Sequence, residues 1–366
     1  MVPFVDLSDQ YYEIAREVEP ELLNVLRRCQ FVGGSYLDRF EHHLANYLNV
    51  NHVVGVSNGT DAITLACEAL GIGKGDTVIV PNNSFIASAF GVSRSGAKPL
   101  LLDVHPYTYL LDIEQVEEVL KSRKRVRAIL VVDLYGQMPN MEDFRNLAEK
   151  YQVYLLEDAA QSIGATYNNH HVGFYSDIAT TSFYPTKNLG GICQGGAVIT
   201  NNPSIAHRVR LMINQGSIKK YEHICMGGNY RLDTIAAVYL YHALQMLDNW
   251  NERRRNIAKI YNESFDDNHR PTQNPNSKHI YHLYEYCCDS LEERDRVEKT
   301  LLRNDIGYGF HYPTQISDTP MYVDMSLNKK TPVCEDLRDR LISIPMFPTM
   351  TEEQAEEVVR VIKSTH

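Results

Sequence analysis

A lysine in a tight polar turn is the first group in this sequence that could bond covalently to a ligand. Lys187 follows an apolar, strand-like run at residues 178–183, and glycines stand at positions 190 and 191. A protonated lysine amine is a poor nucleophile, but partial burial or a neighbouring cation enables it to form a Schiff base with an aldehyde. A lone loop lysine is most often a solvated surface residue, so a second group has to support the chemical interpretation.

An aspartate supplies that second group. Asp158 ends an apolar run that begins near residue 153, as a buried parallel strand does when it delivers a carboxylate to the carboxyl edge of a sheet. Pyridoxal phosphate requires a lysine for its aldehyde and an aspartate for its pyridine nitrogen. The two residues together therefore indicate pyridoxal phosphate (PLP) as the cofactor.

A turn nearer the N-terminus is suited to a phosphate group. Residues 52–56 form a Val-rich run, residues 57–61 read Ser-Asn-Gly-Thr-Asp, and the pattern predicts a helix over residues 62–70. Free backbone N–H groups and the helix dipole both favour an anion at such a helix start. The alternative is that the polar side chains of this turn only cap the helix. In combination with the lysine and the aspartate, we favour phosphate binding.

The order of these segments predicts how they meet. Apolar runs alternate with amphipathic helical patterns from residue 52 to about residue 200, and regular βα alternation predicts a mostly parallel sheet with helices on both faces. Ligands bind such sheets at the carboxyl edge. Ser57, Phe85, Asp158 and Ser182 all fall at or just after the ends of predicted strands, so we expect them at one edge. There Phe85 would either cover a flat ring or belong to the core.

A second polar segment, residues 214–233, is long enough to be a functional loop. Lys219, Lys220, His223 and Arg231 cluster there against an acidic background. The segment is either a solvated surface loop or a binding surface for an anionic substrate.

The C-terminal third predicts a smaller unit. Chain length favours one large and one small domain, and the charged run at residues 250–255 marks their boundary, so we predict a large domain at residues 1–248 and a small α/β domain at residues 249–366. Within the small domain we predict strands at residues 279–287 and 308–311, helices at residues 291–304 and 352–362, and a long loop before the last helix.

Composition argues against several classes of protein. The 366 residues carry a formal net charge of −10, which argues against a nucleic-acid-binding surface. The seven cysteines contain no CxxC pair and predict reduced thiols. No apolar run approaches the ~20 residues of a membrane-spanning helix, and the N-terminus lacks a signal-like pattern. We therefore expect a cytoplasmic protein.

Longer strings of residues resemble one family, the DegT/DnrJ/EryC1/StrS sugar-nucleotide aminotransferases. The most specific strings are Glu157-Asp-Ala-Ala-Gln161 and Ser182-Phe-Tyr-Pro-Thr-Lys-Asn-Leu-Gly190, and weaker ones run from Pro3 to Met346. The resemblance implies the aspartate-aminotransferase fold (PLP transferase fold type I). It also implies a mostly parallel seven-stranded sheet in the large domain and a small C-terminal α/β domain.

The resemblance also implies roles for individual residues. Lys187 would bond to the cofactor aldehyde and shuttle protons, Asp158 would pair with the pyridine nitrogen, and Phe85 would stack on the ring. Gln161 would lie near the phenolic oxygen, and the phosphate would be held by Gly59, Thr60 and Ser182, with Asn229 from the neighbouring subunit of a homodimer. The substrate would be lined by Tyr184, Lys219, Tyr221, His223 and Arg231.

The sequence departs from the family pattern at two positions. Gln194 stands where relatives usually carry Asp or Glu, which leaves sugar specificity open, and Asp133 stands where His is common. The residues around Lys187 resemble the subgroup that aminates a 3-keto-6-deoxyhexose. We therefore expect glutamate to donate an amine to C3 of a dTDP-linked keto-sugar, in the synthesis of an amino sugar.

Three alternatives remain open at this point. One is amination at C4 of a 4-keto-6-deoxyhexose. Another is a catalytically silent PLP-binding regulator, against which the intact Lys187 argues. The third is a nucleotide-binding oxidoreductase with a simple helix cap at residues 57–61, against which the absence of a G-x-G-x-x-G fingerprint argues.

Overall fold

The structure of the chain, a computed structural model, describes residues 1–122, 125–324 and 330–365. Numbered along the chain, its strands are β1 (His52–Val56), β2 (Thr77–Pro81), β3 (Lys98–Leu102), β4 (Val126–Val132), β5 (Tyr154–Asp158), β6 (Thr166–Tyr167), β7 (His170–His171), β8 (Ile178–Ser182), β9 (Gly196–Thr200), β10 (Ser217–Lys219), β11 (Glu222–His223), β12 (Ser277–Lys278), β13 (Tyr284–Cys287) and β14 (Leu341–Ile344). Its α-helices are α1 (Ser8–Arg28), α2 (Ser35–Leu48), α3 (Gly59–Ala69), α4 (Ile86–Arg94), α5 (Ile113–Ser122), α6 (Met141–Tyr151), α7 (Pro203–Met212), α8 (Thr234–Ser264), α9 (Leu291–Arg303), α10 (Pro332–Arg340) and α11 (Glu352–Lys363).

Seven strands form one sheet in the order β1-β9-β8-β5-β4-β2-β3. β9 is antiparallel to both of its neighbours, and the other pairs are parallel. This confirms the predicted mostly parallel, seven-stranded sheet. β5 and β8 are direct neighbours, with Asp158 opposite Thr180. The strand that carries the candidate aspartate and the strand that leads to the candidate lysine therefore end side by side.

Helices cover both faces of this sheet, because successive residues of a strand point to opposite sides. In β2, Val78 and Val80 belong to an apolar cluster with α3, α4 and α7, whereas Ile79 belongs to another with α5 and α6. A third apolar cluster, which includes Phe40 of α2 and Leu240 of α8, packs these two helices against one face of β1 and β9. The result is the α/β arrangement that alternation of strands and helices predicts.

The start of α3 differs from the prediction. The helix begins at Gly59, three residues before the predicted start at Ala62, because Asn58 acts as its N-cap and accepts a hydrogen bond from the Asp61 N–H at 2.9 Å. The backbone N–H groups of Gly59 and Thr60 consequently lie in the first helical turn, where a helix offers no acceptor of its own.

A single long helix joins the N-terminal sheet to the C-terminal part of the chain. α8 has 31 residues. Trp250 packs into the core beside the sheet, whereas Ile257 and Tyr261 pack into the C-terminal core. The expected boundary between residues 248 and 249 lies inside this helix, and the division into two domains stays a prediction. Within the described ranges, no helix combines the length and the apolar character that crossing a membrane requires.

In the C-terminal part, β13 and β14 form an antiparallel pair that packs with α9 and α11. Two predictions for this region are wrong. In place of a strand at residues 308–311, Gly309 makes one isolated bridge to Ser343, and the expected long loop contains α10 and β14. β14 becomes a strand by pairing with β13, far away in sequence, which a local pattern does not reveal. Residues 325–329 of the expected loop lie outside the described residues.

A buried arginine ties α8 to this C-terminal part. Arg254 is 2% exposed and donates a hydrogen bond to the carbonyl oxygen of Met346 at 2.7 Å, with longer ones of 3.4 Å to the carbonyls of Tyr281 and His282. Burial lowers the pKa of Arg254 to about 9. Carbonyl oxygens from residues 281–282 and from residue 346 therefore offset the desolvation of the guanidinium. Removal of the guanidinium would leave these carbonyl oxygens buried without a hydrogen-bond donor.

We predict that Arg254→Ala lowers the free energy of unfolding by about 3 kcal/mol, because buried carbonyls lose a charged donor and a cavity is left behind. Arg253→Ala is a matched control, since Arg253 forms a partly exposed ion pair with Glu13 at 2.5 Å. That change should cost less than about 1 kcal/mol. Urea unfolding followed by tryptophan fluorescence measures both, and equal losses would contradict the linking role of Arg254.

Candidate active site

A cavity of about 500 Å³ lies at the carboxyl edge of the sheet. The strands β1, β2, β4, β5 and β8 deliver their C-terminal ends, or the turns that follow them, to its wall. The predicted site residues that line it are Gly59, Thr60, Phe85, Asp158, Gln161, Ser182, Tyr184 and Lys187. The structure therefore brings together the candidates from four separate strand ends.

A tight turn positions Lys187. After β8, Phe183 is anchored in the core, and the Lys187 N–H donates to the carbonyl oxygen of Tyr184 at 2.8 Å. A Cβ at Gly190 would lie 2.2 Å from the carbonyl oxygen of Pro185, so this close turn requires glycine. Lys187 is partly buried, and burial lowers its pKa to about 8, against the opposing pull of the Asp158 carboxylate. Near neutral pH, more of this amine is unprotonated than in a free lysine.

Hydrogen bonds fix the carboxylate of Asp158. This residue ends β5 and is buried. The Ser88 hydroxyl donates to Oδ2 at 2.7 Å, and the Ala160 N–H donates to Oδ1 at 3.2 Å. Burial raises the pKa of Asp158, while these two hydrogen bonds and the Lys187 charge oppose the rise. A buried carboxylate held in this way is suited to pair with a protonated ring nitrogen.

The start of α3 provides an anion site beside it. No acceptor among the described residues takes the N–H groups of Gly59 and Thr60, which stand free at the positive end of the helix dipole. A Cβ added to Gly59 would lie 2.9 Å from the Cβ of Ser182, so the two backbones approach too closely for another residue. Capping by Asn58 and phosphate binding are therefore compatible, because the cap uses a different N–H.

Aromatic and amide groups complete the wall where a ring would lie. Phe85 is 54% exposed although it lies at the cavity, and its ring centroid is 5.6 Å from that of Tyr312. The Tyr135 N–H donates to Gln161 Oε1 at 2.6 Å, and Gln161 Nε2 donates to the Tyr312 hydroxyl at 3.1 Å. Gln161 therefore has a fixed orientation. The residues of this cavity fit PLP, since they offer an amine, a carboxylate, an anion site and an exposed aromatic face.

The two departures from the family pattern lie in different surroundings. Gln194 lines the cavity, so an uncharged amide stands where the resemblance to the family leads us to expect a carboxylate. Asp133 is fully buried behind the cavity, where the Ser162 hydroxyl donates to Oδ2 at 2.7 Å. Burial, and next the charge of Glu157, raise the pKa of Asp133 well above its usual value. Asp133 therefore packs beneath the site instead of facing a ligand.

The second polar segment does not reach the cavity of its own chain. Tyr221 is 84% exposed, Lys219 pairs with Glu222, and the ring of His223 bonds to the backbone of Gln215. Arg231 Nη1 donates to Asn214 Oδ1 at 2.6 Å, and Asn229 forms a bridge to the same residue. The five predicted residues Lys219, Tyr221, His223, Asn229 and Arg231 lie outside this cavity, four of them exposed and Arg231 half-buried, and their roles stay predictions.

The side chains that line the cavity and that sequence reasoning missed include Ser88, His282, His311 and Tyr312. Ser88 lies in the first turn of α4, three residues after the N-cap Phe85, and this proximity offers only a weak signal. The other three come from the C-terminal part, and their approach to the sheet depends on long-range packing that no local pattern contains.

We predict that Ser88→Ala weakens binding of PLP to the apoprotein by roughly tenfold, because a hydrogen bond to a charged group is worth ~1.5 kcal/mol or more. Ser93→Ala provides the control on the same helix, since the hydroxyl of Ser93 bonds to that of Tyr322 at 2.8 Å, away from the cavity. Titration of PLP by absorbance measures both affinities. Equal Kd values for the two variants would show that Ser88 does not support Asp158.

Comparison with known proteins agrees with this geometry. The sequence profile of the DegT/DnrJ/EryC1/StrS aminotransferase family matches residues 13–363. The chain is 37% identical over 367 residues to the erythromycin biosynthesis sensory transduction protein EryC1 of Saccharopolyspora erythraea, with 99% of each chain covered. It is also 37% identical over 364 residues to the dTDP-3-amino-3,6-dideoxy-alpha-D-galactopyranose transaminase of Aneurinibacillus thermoaerophilus, again with 99% of each covered.

The fold agrees with a solved relative. The crystal structure of DesV from S. venezuelae superposes with a TM-score of 0.94 at 36% identity, covering 99% of this chain and 98% of that one. Relatives of this fold are known in PLP and pyridoxamine phosphate forms. The chain therefore belongs to the DegT/DnrJ/EryC1/StrS aminotransferase family of PLP-dependent enzymes that act on sugar nucleotides.

Proposed function

We propose that this enzyme moves an amino group from glutamate to C3 of a dTDP-linked 3-keto-6-deoxyhexose. The observation that carries the transfer chemistry is the placement of an amine of lowered pKa, Lys187, and a buried carboxylate, Asp158, in one cavity. The choice of C3 is supported by the residues around Lys187 and by relatives whose names contain 3-amino sugars. The cytoplasm is the proposed location.

Bound PLP supplies an aldehyde that captures amines and a ring that accepts electrons. Lys187 would hold the aldehyde, and once a substrate amine has replaced it, its Nζ would take a proton from one carbon and return it to another. Asp158, fixed by Ser88 and the Ala160 N–H, would keep the ring nitrogen protonated. The N–H groups of Gly59 and Thr60 would hold the phosphate, so that the reacting atoms keep their position through both half-reactions.

The position of the new amine distinguishes the proposed amination at C3 from amination at C4. Given glutamate and either the 3-keto or the 4-keto isomer of a dTDP-linked 6-deoxyhexose, we expect the enzyme to aminate C3, with kcat/KM at least roughly tenfold higher for the 3-keto sugar. NMR of the product locates the new amine, and Lys187→Ala should give no product.

Two results would contradict this proposal in different ways. Amination at C4 would overturn the choice of position and keep the aminotransferase. The second result concerns a regulatory role, which the words "sensory transduction" in the name of the EryC1 relative suggest for that protein. A regulatory protein would transfer no amine to either sugar, and its PLP absorption band would not change on addition of glutamate.

We further propose that a homodimer is the functional unit and that Asn229 completes the phosphate site of the neighbouring subunit. Asn229 lies in an exposed segment that contributes nothing to the cavity of its own chain among the described residues. Lys219, Tyr221, His223 and Arg231 lie in the same segment, where cationic side chains face outward on a chain of net charge −10. Such a surface is suited to the diphosphate of a sugar nucleotide bound at the partner's site.

Mixed dimers test this arrangement. We expect Asn229→Ala to weaken PLP binding and Lys187→Ala to abolish transfer. A hybrid of the two variants, isolated through different affinity tags, should regain one wild-type-like site, because the subunit with Lys187 receives Asn229 from its partner. If Asn229 served its own subunit, the hybrid would contain no intact site and would behave like the Asn229→Ala dimer at half its activity.

A further inference from the structure

Three buried side chains form a row of hydrogen bonds that ends at the active-site cavity. The carboxyl group of Glu285 lies 2.5 Å from the hydroxyl of Ser343, and that hydroxyl lies 2.6 Å from Nδ1 of His311. Glu285 is 1% exposed and Ser343 is fully buried. The ring of His311 lines the cavity that contains Lys187.

Strand pairing places these groups in line. Glu285 on β13 is directly opposite Ser343 on β14, so their side chains project from the same face of the pair. Gly309 exchanges two backbone hydrogen bonds with Ser343, at 3.0 and 2.9 Å, and His311 follows two residues later. The ring of Phe4 stacks on His311 at 5.9 Å, and the Tyr135 hydroxyl donates to the His311 carbonyl at 2.6 Å. The imidazole is therefore held from several sides.

The surroundings of Glu285 favour its uncharged form. Its side chain shares a face with Cys287 and Leu341, in an apolar cluster. Its second oxygen, Oε2, has no hydrogen-bond partner among the described residues, and the described arginines Arg338 and Arg340 form ion pairs with Asp339 and Asp336. An isolated buried carboxylate is costly, whereas the neutral acid can donate one hydrogen bond and leave a carbonyl oxygen unpaired. Burial accordingly raises the pKa of Glu285 to about 8, opposed only by Ser343.

We propose that Glu285 and Ser343 determine which ring nitrogen of His311 carries the proton, and that His311 is thereby a substrate-positioning residue that presents an Nε2–H donor to an oxygen of the sugar nucleotide. The hydrogen bonds of His311 within the described chain use Nδ1 and the backbone carbonyl, so Nε2 is available to a ligand. The identity of the ligand rests on the proposed function, because the sugar nucleotide is the substrate expected in this cavity.

Loss of one proton from the row moves the remaining protons along it. With Glu285 neutral, its O–H donates to Ser343, the Ser343 hydroxyl donates to His311 Nδ1, and Nε2 carries the imidazole proton. When the row loses one proton, it leaves from Nε2, while the Glu285 proton moves to Ser343 and the Ser343 proton moves to Nδ1. Glu285 is then ionised, and Nε2 becomes an acceptor. The direction of every hydrogen bond in the row is reversed.

The phenols and imidazoles around the row stay in one form across this change, whereas Lys187, whose pKa burial lowers to about 8, titrates over the same pH range. The phenols that face Glu285 have raised pKa values, and burial together with Lys187 lowers the pKa of His311 to about 4, so the imidazole stays neutral. Among the described residues, the ionisable groups facing the row are Tyr109, Tyr135, Tyr312, Cys287, His282 and Lys187, and burial raises the pKa of the Cys287 thiol. Because the pKa of Glu285 is raised, the donor form of His311 is present below pH 8 and is lost as the pH rises through about 8.

Histidine NMR tests the tautomer directly. In ¹⁵N-histidine-labelled holoenzyme, with the His311 signals assigned by their absence in His311→Gln, we expect Nε2 to carry the proton at pH 6.5 and Nδ1 to carry it at pH 9.5. Glu285→Gln and Ser343→Ala should each abolish this change with pH. Glu356→Gln, an equivalent change on the exposed side of α11, should retain it. A tautomer that is the same at both pH values in the wild type would overturn the relay.

Kinetics tests the positioning role. For the wild type, KM for the sugar nucleotide should rise roughly three- to tenfold between pH 7 and pH 9, as one hydrogen bond is lost, with a smaller change in kcat. In Glu285→Gln this rise in KM should disappear, although Lys187 is unchanged. A rise that persists in Glu285→Gln would show that His311 does not position the substrate. Failure of all amino transfer would overturn the proposed function instead, while the NMR result would still decide the relay.

Discussion

The site depends on the balance between burial and attraction for one pair of charges. Burial favours the neutral amine at Lys187, whereas the Asp158 carboxylate favours the ammonium, and burial has the larger effect on Lys187. Burial also raises the pKa of Asp158, and two hydrogen bonds and the charge of the lysine oppose that rise. Each group therefore limits the effect of burial on the other, so an amine and a carboxyl group can share one small cavity. Parallel pairing of β5 with β8 creates this arrangement, because it ends both strands at the same edge.

Much of the large sheet and its edge could be predicted from local patterns. Parallel strands are buried on both faces, so they appear in the sequence as short apolar runs, and the residues that follow them gather at one edge. Asp158 and Ser182 were placed at that edge by this reasoning alone. The start of α3 was predicted less accurately, because it depends on whether Asn58 acts as the N-cap. The true start of the helix decides which N–H groups face the cavity.

The C-terminal contributions to the site escaped prediction for a different reason. β14 is four residues long, and only its pairing with β13 makes it a strand. His311 reaches the cavity because Gly309 bonds to that same strand. Each step is a contact between distant segments, so neither composition nor periodicity reveals it. The exposed segment 214–233 was also ambiguous, since a polar loop that serves a neighbouring subunit has the same local pattern as a solvated one.

The two parts of the site therefore have different constraints. The groups suited to the cofactor stand at the ends of sheet strands, where each is fixed by the core around it, and a substitution there disturbs both packing and chemistry. The groups from the C-terminal part approach the opposite side of the cavity through a few hydrogen bonds, such as those between Glu285, Ser343 and His311. A change at Glu285 can alter what His311 offers to a ligand without moving Lys187 or Asp158. Under the proposed role of His311, substrate preference and reaction type would therefore be controlled by separate segments of the chain, so one could diverge while the other is retained.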